Sequence, residues 1–304
     1  MTALERLATT VENTGEVRRA EPMSRHTTFG VGGPADLYLT VRNVNSLQIA
    51  NKMAREAEIP VFILGSGSNI VVADGGIRGL VIDNRAKSEV RDDAGYVHRV
   101  ASGASFAAYA RRMCREGIDG LAWAAGIPGT LGGAVVYNAG AYGGCLADIV
   151  TRVRVQDSSG ATAWVSAEQL ELVYRGSAFK TGPFSQHVIL EVEVELRAGD
   201  GSELAAELAG HDANRLAAQP RGRNAGSMFK NPVGRPAWEL IDAVGLRGAS
   251  EGGAGISEKH SNFFVNNGNA RASEVLSLVE EAERRVRDQF SIELQREVSF
   301  VGAW

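Results

Sequence analysis

Gly126-Ile127-Pro128-Gly129-Thr130-Leu131-Gly132-Gly133-Ala134-Val135-Val136-Tyr137-Asn138-Ala139-Gly140-Ala141-Tyr142-Gly143-Gly144 is dense in glycine and carries no charge. Surface loops are ordinarily polar, and helices avoid glycine because each one costs roughly 1 kcal/mol relative to alanine. A run that accepts several such costs needs bare backbone against something large. Without a Cβ, the chain's N–H groups approach a ligand closely.

Working outward on the N-terminal side, Ser105–Glu116 reads as a helix with Phe106, Ala110 and Met113 inward, stopped by Gly117, and Val97–Ala101 as a strand. Earlier still, Val61–Leu64, Ile70–Val72 and Leu80–Ile82 read as short strands. Asn45/Ser46 read as the cap of a helix running to about Glu58. Residues 1–20 read as a short helical or frayed lead-in. On the C-terminal side, Val150–Gln156 and Thr162–Val165 form a hairpin, Ser166 and Gln169 fit a capping box, and His187–Arg197 alternates apolar residues with Glu191, Glu193 and Glu195. Ala198-Gly199-Asp200-Gly201 reads as a domain boundary. Beyond it come a helix to about Ala217, a loop, a helix over Pro236–Val244, a long helix over Ala272–Asp288, and strands at Asn262–Asn266 and Ile292–Val301.

With 304 residues the chain holds two or three domains, and its net charge of −4 argues against a general nucleic-acid binder. Its two cysteines, Cys114 and Cys145, are too few for a disulfide framework and fit a reducing compartment. Residues 1–25 do not read as a secretory signal, and no apolar run of about 18 residues occurs. The expectation is a cytoplasmic protein with no membrane insertion.

Gly65-Ser66-Gly67-Ser68-Asn69 lies between two apolar strands, but Ile70 stands where a dinucleotide fingerprint of the Rossmann type needs glycine before a helix. Either it is an anion nest or it is a tight turn. Arg175, in Tyr174-Arg175-Gly176, either binds a carboxylate with both arms or pairs with a surface acid. Ser227, in Gly226-Ser227-Met228-Phe229-Lys230-Asn231-Pro232, is either a hydroxyl beside a substrate or a turn residue. Glu297 shares a strand face with Gln295 and Ser299, which by periodicity alone is a solvated face. No P-loop, zinc spacing or hydrolase elbow is present, so no metal site is expected.

The order of these pieces resembles the UDP-N-acetylenolpyruvoylglucosamine reductase (UDP-N-acetylmuramate dehydrogenase) family. The resemblance runs from His26 to Gly302 through His26–Asp36, Leu64–Asn69, Gly120–Thr130, Asn138–Gly143, Tyr174-Arg175, Gly226–Pro232, Ser257–His260 and Glu297-Val298. It implies an α+β chain. An FAD-binding fold of the vanillyl-alcohol-oxidase (PCMH) type, in two α+β subdomains at 1–85 and 86–198, is followed by an α+β substrate domain at 199–304. Non-covalent FAD is expected at Gly65, Ser66, Gly67, Ser68 and Asn69 for the pyrophosphate. Ala124, Ala125, Gly126, Ile127, Gly129, Thr130, Gly133, Asn138, Ala139 and Gly140 are expected against the flavin. The length fits the shorter subclass, which lacks a substrate-covering tyrosine loop. Gly30 departs from the pattern by standing where a basic residue is common.

The reaction so implied reduces the enolpyruvyl ether of UDP-N-acetylglucosamine enolpyruvate with NADPH as co-substrate, in peptidoglycan precursor synthesis. An ether alkene resists hydride, so its carboxylate must accept electron density, and cations or acids aimed there lower the barrier. By motif position Arg175 binds that carboxylate, Glu297 assists as a protonated acid, and Ser227 delivers the proton to carbon. Lys230, Asn231 and His260 are expected on the diphosphate or uridine. The alternatives are another FAD-dependent oxidase or dehydrogenase of the same fold, or a nucleotide binder that has lost its flavin.

Overall fold

The computed structural model describes residues 2–304. The chain folds as two compact units interleaved in sequence: one comprises the residues up to 19, 37–65 and 79–214; the other comprises 20–36, 66–78 and 215–304.

The first unit contains two cores. In one, a sheet of order Glu16–Pro22, Pro34–Val41, Ile77–Asn84, Val61–Leu64 is covered by the helices Ala3–Val11 and Val44–Glu56. The first three of these strands run on into the second unit's segments. Val61–Leu64 lies parallel to Ile77–Asn84, with Val61 opposite Leu80. Leu37, Leu39, Val41, Leu47, Ala50, Leu80 and Ile82 form the seam. The cap of Val44–Glu56 is Asn43, whose Oδ1 accepts from Ser46 N–H at 2.8 Å, so Asn45 and Ser46 lie inside the helix rather than before it. The strands Glu16–Pro22 and Pro34–Val41 were not legible. In the first, Glu16, Arg18, Arg19 and Glu21 leave too few apolar positions to show alternation.

The second core lies under a five-stranded antiparallel sheet of order Thr162–Ser166, Val150–Gln156, Val188–Glu195, Val97–Ala101, Glu89–Arg91. Val192 and Val194 point into it. Glu191 and Glu193 on the other face meet Arg154 and Arg152 at 2.8 and 2.7 Å, so the acidic face is paired across the sheet. The helix Phe106–Arg115 packs Phe106, Tyr109, Ala110 and Met113 inward, and Ser105 caps it by accepting from Ala108 N–H. After Ser166 the chain makes a 3-10 turn at Glu168–Leu170. Only half of the expected capping box forms, Ser166 N–H donating to Gln169 Oε1.

In the second unit a sheet of order Arg223–Ser227, Phe263–Asn266, Ala254–Ile256, Ser250–Glu251 packs on the helices Ala237–Ala243 and Ala272–Phe290. Phe229 and Phe264, edge to face with centroids 6.0 Å apart, anchor the core, and Phe29, Val31 and Val71 join it. The expected strand Ile292–Val301 is cut to Ser299–Val301, parallel to Ile70–Val72. Upstream, Glu297 N–H and Val298 N–H both turn to Met228 O, so the chain leaves ladder geometry after a single bridge between Phe229 and Arg296. Among the described residues no helix is long and apolar enough to cross a membrane.

Candidate active site

Residue by residue, the glycine-rich stretch separates into two uses. Gly132 N–H donates to Ser102 O at 2.8 Å, and a Cβ on Gly132 would stand 2.9 Å from Ser102 Cβ. A Cβ on Gly140 would stand 2.8 Å from Gly144 O, and one on Gly144 would stand 2.4 Å from Trp123 Cδ1. These three glycines are required by the protein's own packing, which corrects the reading that the whole run is bared for a ligand. Gly133 differs, because a Cβ there makes only ordinary contact with Thr130 Oγ1, at 3.5 Å. Thr130 caps the short helix Leu131–Val136 by accepting from Gly133 N–H at 3.3 Å.

Gly65, at the end of the strand Val61–Leu64, presses on the same threonine. A Cβ on Gly65 would stand 2.6 Å from Thr130 Oγ1. The structure thus brings together, 65 positions apart in sequence, the start of the expected pyrophosphate loop and the expected flavin segment. Only glycine permits this approach. Gly65, Thr130 and Gly133 together present backbone and one hydroxyl. Asn138 has another duty. It is buried with φ +40°, its Nδ2 donates to Val173 O and its Oδ1 accepts from Ala147 N–H, both at 3.1 Å. Its side chain thereby braces two loops. Ala124 N–H and Ala139 N–H go to Leu121 O and Ala134 O, and Ile127 N–H goes to Ala124 O.

Val173 and Gly176 exchange both backbone hydrogen bonds at 3.1 Å, so Tyr174 and Arg175 form the tip of a tight turn. Arg175 takes a left-handed φ of +55°, uncommon for a residue with a Cβ. Its NH2 donates to Gly140 O at 3.0 Å, and its guanidinium lies 5.4 Å from the Tyr174 ring centroid. The following Ser177 is buried and donates to Val136 O at 2.8 Å, tying the turn to the end of the helix Leu131–Val136. The arginine is therefore held beside the glycine-rich stretch from both sides of the turn.

In the second unit, Ser227 ends the strand Arg223–Ser227, not a loop as the sequence suggested. A register shift between Asn224 and Ser227, with Gly226 at φ +81°, breaks the alternation that would mark a strand. No atom lies within 4 Å of where a Cβ on Gly226 would be, so the backbone beside the serine is open. Glu297 N–H donates to Met228 O at 2.8 Å, which sets Glu297 beside the residue after Ser227. Asn69 Nδ2 donates to Glu297 O at 3.3 Å, and Ser299 N–H donates to Asn69 O at 3.0 Å. Ser227, Glu297 and the loop Ser66–Asn69 are thus gathered within one unit. In that loop Ser66 and Ser68 hydroxyls lie 3.3 Å apart, and Gly67 at φ +64° passes so close to His26 O that a Cβ would stand 2.1 Å away.

Lys230 N–H donates to Gln295 O at 2.8 Å, which fixes its backbone. Asn231 Oδ1 accepts from Ala237 N–H at 3.1 Å and so helps start the helix Ala237–Ala243. His260 packs edge to face on Phe263, and burial holds its pKa below the usual imidazole value. Its Nδ1 accepts from Asn262 N–H at 3.3 Å, so the neutral ring carries its proton on Nε2. Sequence reasoning missed Asn262. Buried, it accepts from Phe229 N–H at 2.9 Å and donates to Phe229 O at 2.8 Å, while its own carbonyl accepts from Met228 N–H at 2.7 Å. An asparagine at the edge of an apolar strand was the available signal. Among the described residues no group of three His, Cys, Asp or Glu is placed to hold a metal.

Residues 35–166 match a family of FAD binding domains, and residues 218–301 match the UDP-N-acetylenolpyruvoylglucosamine reductase C-terminal domain. The chain is 37% identical over 95% of its length to a UDP-N-acetylenolpyruvoylglucosamine reductase of Anoxybacillus flavithermus, covering 96% of that protein. It is 39% identical to that of Clostridioides difficile, covering 94% of each. The crystal structure of UDP-N-acetylenolpyruvylglucosamine reductase (MurB) from Thermus caldophilus superposes with a TM-score of 0.79 at 35% identity, over 94% of this chain and 99% of that one. With two domain families in the expected order and full-length relatives well above 30% identity, this chain belongs to the UDP-N-acetylenolpyruvoylglucosamine reductase family.

Proposed function

We propose that this chain reduces the enolpyruvyl ether of UDP-N-acetylglucosamine enolpyruvate to the lactyl ether of UDP-N-acetylmuramate, with NADPH as reductant, in the cytoplasmic supply of peptidoglycan precursors. The observation that carries the reading is that the backbone of Glu297 bonds to the residue after Ser227, although the two lie far apart in sequence: Glu297 N–H donates to Met228 O at 2.8 Å. A hydroxyl and a carboxyl on such adjoining segments suit a site that must protonate carbon while stabilising charge on a neighbouring acid group.

FAD, when bound, supplies hydride exchange between NADPH and the alkene. Gly65, Ser66, Gly67, Ser68 and Asn69 are the residues that would hold its pyrophosphate; Ala124, Ala125, Gly126, Ile127, Gly129, Thr130, Gly133, Asn138, Ala139 and Gly140 would hold its ring system. Arg175 binds the substrate carboxylate, and its anchorage to Gly140 O orients the guanidinium in advance. Glu297 works as a protonated acid, because an ionised carboxylate would repel the charge that grows on the substrate. Ser227 Oγ holds the proton that the substrate carbon takes up. Lys230, the Asn231 amide and His260 Nε2–H hold the diphosphate or uridine. We also keep the division at 1–85, 86–198 and 199–304. It is supported by three separate cores drawn mainly from those segments.

Stopped-flow spectroscopy tests the role of the serine. In Ser227→Ala, bleaching of the flavin by NADPH stays near the wild-type rate, while reoxidation by the enolpyruvyl sugar slows by about 100-fold or more. Equal losses in both half-reactions would remove Ser227 from proton delivery.

A further inference from the structure

We propose that Arg221 and Arg223 form a phosphate site that takes the 2′-phosphate of the nicotinamide dinucleotide and sets the choice of NADPH over NADH; this rests on the reductase reading above. A cavity of about 780 Å3 in the second unit is lined by residues between Pro220 and Gly268. Its charged lining is Arg221, Arg223 and Lys259 against the single carboxylate Glu258, an imbalance that favours an anion. Lys259 Nζ donates to Leu216 O at 2.7 Å, so the two arginines supply the forked donors. Gly222, between them, has φ +97° and no atom within 4 Å of its Cβ direction, so the backbone linking the two arginines is open.

Arg223 is also held in place. Its Cδ and one side of its guanidinium lie over Gly30, so that a Cβ there would stand 2.8 Å from Arg223 Cδ and 2.9 Å from NH1. Asn266 Nδ2 donates to Phe29 O at 3.0 Å and fixes the turn beneath. Packing of the side chain on Gly30 lowers the entropy lost when the guanidinium takes up an anion. Arg223 opens the strand that Ser227 ends, four residues or about 13 Å away. That separation lies within the length of an extended dinucleotide. A terminal phosphate dianion offers three oxygens to two guanidinium forks, whereas the bridged diphosphate of the sugar nucleotide is assigned to Lys230, Asn231 and His260.

The test uses the flavin-loaded enzyme and the exposed pair Arg221→Gln/Arg223→Met, which keeps the aliphatic stem on Gly30. The expected result is a fall of about tenfold or more in flavin bleaching by NADPH at low concentration, with NADH unchanged. Calorimetric affinity for adenosine 2′,5′-bisphosphate falls in parallel. In the wild type, added salt weakens NADPH more than NADH. An unchanged NADPH to NADH ratio, or equal salt dependence of the two, overturns the proposal. So does weakened binding of UDP with dinucleotide selectivity intact, since the arginines then serve the diphosphate. A wild-type flavin that neither dinucleotide bleaches sinks the reductase reading, and this site with it.

Discussion

Single residues decide whether the cofactor segments can meet. Gly65 does not need a left-handed backbone; it needs the absence of a Cβ, because Thr130 Oγ1 occupies that space. In Gly65→Ala the threonine must rotate away, and the N–H of Gly133 then loses its cap. The expected cost is about 1–3 kcal/mol of local packing. It is read as a lower ratio of flavin to protein absorbance after purification, and full retention of flavin would show that the contact is slack. The sequence marked Gly65 as special but left its reason open between a nest and a turn, since a collision with a residue 65 positions away has no local signature. It presented the whole run as bared for a ligand, whereas Gly132, Gly140 and Gly144 are also required by close contact with Ser102, Cys145 and Trp123. Asn138 was read as a cofactor residue, and the structure adds a bracing duty: its amide bonds to Val173 and Ala147.

At the scale of elements, the helix Ala272–Phe290 begins on a carboxylate from a distant turn. Asp74 Oδ1 accepts from Ala272 N–H at 2.9 Å and Oδ2 from Ser273 N–H at 3.1 Å, 198 and 199 residues along the chain. Partial burial works against the charge on Asp74, but the hydrogen bonds from Ala272 and Ser273 outweigh it and hold the pKa below the usual carboxylate value. A depressed folded pKa adds stability that is present above the unfolded pKa and lost as pH falls through the folded one. Asp74→Asn should therefore cost about 1 kcal/mol in urea unfolding above roughly pH 4. That difference should vanish in stronger acid. A gap that persists at low pH would mean that shape, not charge, makes the contact. The helix itself was legible from its apolar spacing, whereas the aspartate that starts it lies 198 residues away and leaves no local mark. The strand Arg223–Ser227 stayed hidden for a related reason, because its register shift and Gly226 erase the alternation.

At the scale of the whole molecule, flavin held by backbone and hydrogen bonds alone should leave with the supernatant when the protein is precipitated by acid. The purified chain should absorb near about 450 nm, the flavin band. A yellow pellet after precipitation would show a covalent tether and favour an oxidase of the same fold. The sequence by itself determined the family and most of the elements, and it named the residues proposed for the chemistry. Glycine positions, apolar periods and ordered motifs are all properties of neighbours along the chain. Only the tertiary structure decided that Asn69 supports Glu297 across 228 residues, that the Glu297 backbone bonds to Met228, and that Arg223 fills the space over Gly30. These contacts depend on where separate strands end in space, and hydrogen bonds or packing between such ends leave no periodic trace in either segment.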